Sequence, residues 1–129
     1  MRFKIILLTA LAGCSVGGGY EKAENAQDAG RQFIRASLDG DYQKARFYLL
    51  QDTTNLLLIE RWQTDYKQLT TAEKKQHRDS NIHPLNIKKV NDSTTTYEYY
   101  SSYNPKDTTK FTVVKKNGEW VVDLKSILR

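Results

Sequence analysis

Apolar positions recur at helical spacing in the first half of the chain and at strand spacing in the second. Over 22–38, Ala26, Ala29, Gly30, Phe33, Ile34, Ser37 and Leu38 fall on one side at the 3.6-residue period, which predicts a helix. Asp39-Gly40-Asp41 ends it, with Gly40 as the residue beyond the C-cap and Asp41 capping a second helix over 42–50. That short helix turns Tyr42, Ala45, Tyr48 and Leu49 inward. A third starts at Thr53 or Thr54 and carries the stripe Ile59, Trp62, Tyr66 and Leu69. Thr70-Thr71-Ala72-Glu73 then fits a capping box and opens a polar helix over 72–79.

From Ile82 onward the period changes to two. Four strand-type runs follow, over 82–90, 94–103, 108–116 and 119–128. Turn chemistry separates them: Asn91-Asp92, Asn104-Pro105-Lys106-Asp107 and Asn117-Gly118. Asn-Gly between alternating runs specifies a two-residue type I′ hairpin. Its register sets Lys116 against Glu119, Lys115 against Trp120, Val113 against Val122 and Phe111 against Leu124. Phe111, Val113, Trp120, Val122 and Leu124 then share the apolar face. For the middle hairpin, a three-residue loop puts Tyr99 opposite Phe111 and Tyr97 opposite Val113. That choice buries Tyr97, Tyr99 and Tyr103 without burying the Glu98 carboxylate. It also implies a three-residue or bulged loop near Asn91, with Leu85, Ile87 and His83 on the same face.

Helices followed by an antiparallel meander with one apolar face predict an α+β domain, N-terminal helices packed on a curved four-stranded sheet in a cone-like arrangement. The chain from Lys22 onward resembles the nuclear transport factor two-like cone fold. More narrowly, it resembles small bacterial lipoproteins of that superfamily that carry a lumazine-binding-like label and no established function. The resemblance rests on Phe33-Ile34-Arg35-Ala36-Ser37-Leu38-Asp39-Gly40-Asp41-Tyr42-Gln43-Lys44-Ala45 and on Lys116-Asn117-Gly118-Glu119-Trp120-Val121-Val122-Asp123. These motifs imply a fold and no reaction.

The N-terminus has a different composition. Arg2 and Lys4 precede the apolar run Ile5 to Ala12, too short for a bilayer that needs about 20 residues. Leu11-Ala12-Gly13-Cys14 resembles the lipobox of bacterial lipoprotein signal peptides. The resemblance implies cleavage after residue 13, acyl chains on Cys14 and a membrane-anchored envelope protein. Lipidation also accounts for an unpaired Cys in an exported chain. The expected organisation is a signal peptide over 1–13, a lipidated Cys and flexible tether over 14–21, and one domain over 22–129. The tether of about eight residues reaches roughly 15–17 Å, which keeps the domain near the membrane. The lipoprotein resemblance further implies, from Ser15 in place of Asp after the Cys and no acid before Glu21, the periplasmic face of the outer membrane.

Charge and candidate chemistry narrow the functional classes. Removing Arg2 and Lys4 takes two charges from the formal +5, and the remaining +3 is too small and too evenly spread for nucleic-acid binding. His77 and His83 are six residues apart across a helix-to-strand boundary, which matches no metal-ligand spacing, so neither metal nor cofactor is expected. There is no Gly-rich phosphate loop after a strand and no G-x-S-x-G. His77 reads as part of a solvated helix end, and Lys74, Lys75, Arg78, Lys88 and Lys89 as a solvated basic face able to rest on anionic head groups. With no second acid or base converging on His83, the expectation is a non-catalytic domain that binds a ligand or an envelope protein. The alternatives are a pocket enzyme using His83 with Tyr97 and Tyr99, and an inhibitor or immunity-type lipoprotein. The expected binding mouth lies between helices and sheet, lined by His83, Tyr97, Tyr99, Tyr103 and Trp120, unless Phe33, Ile59 and Trp62 fill the cone.

Overall fold

The computed structural model describes residues 19–128. Four helices, α1 (Ala26–Asp39), α2 (Tyr42–Phe47), α3 (Thr53–Lys67) and α4 (Thr71–Asp79), precede four strands, β1 (Ile82–Asn91), β2 (Thr94–Ser101), β3 (Asn104–Lys116) and β4 (Glu119–Asp123). The strands pair antiparallel in chain order, so the expected α+β meander is present. The expected signal peptide, Cys14 and most of the expected tether lie outside the described residues. No helix among the described residues is long and apolar enough to cross a membrane.

Each helix begins at a polar side chain that accepts a backbone N–H: Asn25, Asp41, Asp52 and Thr70. Asn25 therefore starts α1 at Ala26, four residues later than the apolar period suggested. The capping box at Thr70 and Glu73 forms in both directions. The second helix stops at Phe47 because Tyr48–Leu50 leave it to join the sheet. Leu50 N–H donates to the Val122 carbonyl at 2.8 Å, and Val122 N–H to the Tyr48 carbonyl at 2.7 Å. Residues with adequate helical pattern are thus taken by the open edge of β4.

The closing hairpin has the expected register from Lys116–Glu119 to Val113–Val122, turning at Asn117 (φ 52°) and Gly118 (φ 80°). The Phe111–Leu124 pair does not form. β4 ends at Asp123, and Leu124–Leu128 is a 3-10 turn in which Leu124 remains buried. Ser126 causes the ending: its Oγ accepts from Thr112 N–H at 2.8 Å and donates to the Asp123 carbonyl at 2.6 Å.

The middle hairpin corrects the expected pairing. Tyr97 faces Phe111, Tyr99 faces Thr109, and the chain turns at Ser102-Tyr103, with Ser101 opposite Asn104. Residues 105–108 of β3 lie opposite Tyr100 alone, so the Asn-Pro-Lys-Asp stretch is a bulge rather than the turn. Moving the register by two residues preserves the face of every side chain. Tyr97 and Tyr99 are accordingly buried as expected, while Tyr103 sits on the turn and is 44% exposed. The β1–β2 connection is bulged near Asn91 as expected, and a second irregularity between Pro84 and Asn86 leaves Leu85 exposed.

The core lies between α1 and the sheet. Phe33 meets Phe111 edge-on at 6.0 Å, and Tyr97 stacks on Phe111 at 5.7 Å. Gly30 admits the Tyr97 ring: a Cβ there would stand 2.8 Å from Tyr97 Cδ2. One end of the cone is tied by the fully buried Asn55. Its Nδ2 donates to the Leu50 carbonyl and to Asp123 Oδ1, each at 3.1 Å, and its Oδ1 accepts from Lys125 N–H at 2.6 Å. Lys125 Nζ bridges Asp52 at 2.9 Å and Asp123 at 2.8 Å.

Candidate functional site

The opposite end of the cone is hollow. A cavity of about 290 Å³ lies where α1, α3 and α4 approach the β2–β3 hairpin. Its floor is apolar, from Ile34 and Leu38 of α1 and Leu69 after α3. Its walls are aromatic: Tyr42, Trp62 and Tyr66 on the helical side, Tyr99 and Tyr103 on the sheet side, and His77 from α4. Polar groups come from Ser37, Ser101, Asn104 and Thr109, and charge from Asp65 and Asp107, both exposed. The lining contains neither Lys nor Arg.

Local sequence explains each wall. Trp62, Tyr66 and Leu69 lie on the stripe that points α3 at the core, but only Ile59 of that stripe is fully buried. Trp62 and Tyr66 stay half-buried, so their rings form a wall instead of a filling. Phe33 and Ile59 do fill the interior, whereas Trp62 lines the cavity. Gly40 (φ 78°) terminates α1 and receives the Tyr66 ring, since a Cβ there would lie 2.5 Å from Tyr66 Cε1. Tyr66 in turn stands edge-on to Tyr42 at 5.9 Å. The bulge in β3 carries Asp107 to the cavity.

The mouth is fixed by hydrogen bonds of the α4 terminus. Arg35 Nη1 donates to the Ser80 carbonyl at 2.8 Å, and Nη2 to the carbonyls of Arg78 at 3.0 Å and His77 at 3.3 Å. A cation on the last carbonyls of a helix also complements its dipole. Buried Ser80 accepts from Tyr103 N–H at 3.1 Å and shares a hydrogen bond with the Ser102 hydroxyl at 3.2 Å. These bonds set the Tyr103 ring on His77, centroids 4.1 Å apart. His77 Nδ1 lies 2.8 Å from the Glu73 carbonyl. Because a carbonyl only accepts, Nδ1 carries the proton.

The tyrosine hydroxyls hold their protons strongly. Burial pushes Tyr42 well above the ordinary phenol range, with Tyr66, Tyr103 and Asp65 adding to the shift. Burial raises Tyr99 as well, offset in part by the Thr109 hydroxyl. Tyr103 moves in the same direction, from burial first and then Asp107. At neutral pH all three keep their phenolic protons.

Of the residues expected at the mouth, Tyr99 and Tyr103 line the cavity and three do not. Tyr97 is buried deeper, against Gly30 and Phe111. Trp120 lies beneath the Lys115 ammonium, 5.8 Å away, beside the closing turn. His83 stacks on Tyr100 at 4.7 Å. Tyr100 alternates with Tyr99 and so belongs to the other face of β2, and the irregularity at Leu85 separates His83 from the face of Ile87. Sequence reasoning missed His77, Asp65 and Asp107. The aromatic run Trp62–Tyr66 was a usable signal for the wall, but α4 has no apolar stripe that would turn His77 inward. Among the described residues, no three His, Cys, Asp or Glu side chains converge as a metal site.

No protein-family model and no curated protein matches this chain. Solved structures do. One is an NTF-2-like protein of unknown function from Shewanella oneidensis MR-1, with a TM-score of 0.50 and 13% identity over 73% of this chain and 88% of that one. The fold is an α+β cone of the nuclear transport factor two-like type.

Proposed function

We propose that this chain is a lipoprotein, anchored at the cell envelope through acyl chains on Cys14, whose cone domain binds a small ligand without transforming it. The observation that carries the binding role is the hollow end of the cone. A cavity with an apolar floor, aromatic walls and a few polar groups is the usual composition of a small-molecule site, and its volume is near the lower end of the range of about 300–1,000 Å³ for such sites. The anchoring role rests on the sequence of residues 2–14. Two or three acyl chains, at about 0.8 kcal/mol per buried CH₂, hold a protein on a bilayer stably.

Two experiments test the reading. Cys14→Ala is expected to shift the protein from the membrane fraction to the soluble fraction or to stop its processing; unchanged fractionation with membranes overturns the anchor. A fragment mixture added to the isotopically labelled protein in neutral detergent is expected to move the backbone resonances of Tyr42, Trp62, Tyr66, Tyr99 and Tyr103. Shifts that avoid these residues overturn the binding role.

A second reading, a pocket enzyme, draws support from His77, Asp65 and Asp107 in the lining of one cavity. It differs from the His83 version, since His83 lies on the other face. Turnover of a bound fragment, abolished by His77→Gln with binding retained, would decide for catalysis.

A further inference from the structure

We propose that the cavity takes an organic cation, an alkylated ammonium group on a small apolar body. This deepens the ligand-binding reading above and rests on it. Two independent features of the lining point the same way. The first is the aromatic wall: Tyr42, Trp62, Tyr66 and Tyr103 surround one space, and ring faces attract a desolvated ammonium through their quadrupoles. Tyr66 already receives a cation on its ring, with Lys74 Nζ 5.5 Å from the centroid, although Lys74 itself is not part of the lining.

The second feature is charge. The chain as a whole is basic, at +5, yet the charged residues of this lining are the acids Asp65 and Asp107. Neither carboxylate is in an ion pair with a described Lys or Arg. An anionic ligand entering here would face both carboxylates, with no Lys or Arg in the lining to compensate them. A neutral ligand would gain the stacking and leave the carboxylates unused. A cation uses both, and a methylated ammonium suits the rings better than a strongly hydrated primary amine. The modest volume favours a compact body.

The test uses a matched pair of probes, choline and its uncharged carbon isostere 3,3-dimethylbutan-1-ol. The full-length Trp120→Phe chain in neutral detergent leaves Trp62 as the single tryptophan and therefore as the reporter. Saturable change in Trp62 emission is expected for choline, at least about tenfold tighter than for the isostere. Asp65→Asn combined with Asp107→Asn, both at exposed positions, is expected to remove that preference while the circular dichroism spectrum stays unchanged. Equal binding of the two probes, or a cation preference that survives the double substitution, overturns the proposal and leaves the ligand-binding role standing. Absence of binding by either probe also overturns it. Only failure of the fragment titration as well would remove the binding role.

Discussion

The rings of His77 and Tyr103 stack with centroids 4.1 Å apart and planes inclined by 30°, joining the last turn of α4 to the tip of the β2–β3 hairpin. Neither element has a core of its own at this point: α4 contains no buried residue, and Tyr103 is among the exposed aromatics. The contact persists because Ser80, Ser102 and Arg35 hold the two backbones in place. One side of the cavity mouth is therefore maintained by polar bonds around a single stacked pair.

Removing that pair should open the mouth with little global effect. Tyr103→Ala is expected to cost less than about 1.5 kcal/mol of stability, the upper range of an aromatic pair at a partly exposed site. Faster hydrogen exchange at the Ser102 and Tyr103 amides would accompany it. A denaturation midpoint shifted as far as for a core deletion would contradict this account.

Arg35 should matter more than its exposure suggests. Arg35→Ala leaves three carbonyls at the end of α4 without their guanidinium donor. Exchange protection over 76–80 is expected to fall, and Arg35→Lys should restore little, because an ammonium lacks the planar fork that spans several carbonyls.

Two glycines separate packing from site geometry. Gly30→Ala drives a methyl into the buried Tyr97 ring, an overpacking expected to cost about 1–3 kcal/mol. Gly40→Ala meets Tyr66 and also forces a left-handed φ on a residue with Cβ, which adds about 1–2 kcal/mol. The second change should also displace Tyr66 from the cavity wall. Thermal melts combined with Trp62 emission distinguish the two outcomes: stability lost in both variants, emission altered in Gly40→Ala.

At the closed end, Asn55→Ala removes three hydrogen bonds at a fully buried position. With the Leu50 carbonyl, Asp123 and the Lys125 N–H left short of partners, a loss of about 2–4 kcal/mol is expected in a urea titration. Asn55→Leu, which keeps the branched shape but is bulkier, should recover little, because the polar groups left behind stay unpaired and the buried site has no room for the added methyls.

Stability should fall in alkali. Tyr42, Tyr48, Tyr97, Tyr99 and Tyr103 are all held above the ordinary phenol value of 10.0, in each case chiefly by burial. Above that value the unfolded chain releases phenolic protons that the folded chain retains, so unfolding gains. Lys125, raised by its bonds to Asp123 and Asp52, acts in the same direction. The denaturation midpoint is expected to hold from neutral pH to about pH 9.5 and to decline beyond it. Tyr99→Phe should make that decline shallower. In acid, Asp52 is lowered by its bonds to Asn55 and Lys125, and its contribution disappears as the pH drops below the ordinary carboxylate range.

The sequence alone determined which side of α1, α2 and β2 faces the core. The stripes of α1 and α2 reappear in the buried set, and Asn117-Gly118 fixed the last hairpin, because these are local properties: a helical period, a cap, a turn that demands positive φ. The alternation of β2 placed Tyr97 and Tyr99 inside even though their partners were misassigned, since a two-residue slip conserves the face. Tertiary structure decided what those local rules leave open. Asn-Pro-Lys-Asp reads as a turn, yet Ser80 and Ser102 bind each other across 22 residues of chain and set the turn at Ser102-Tyr103. The displaced stretch became the bulge that carries Asp107. His83 and His77 exchanged places relative to expectation for the same reason. A β-bulge at Leu85 keeps His83 off the core face, while an arginine from α1 docks the polar helix that brings His77 to the cavity. Bulges and long-range side-chain-to-backbone bonds have no periodic signature, so the shape of the site emerged only when distant segments packed.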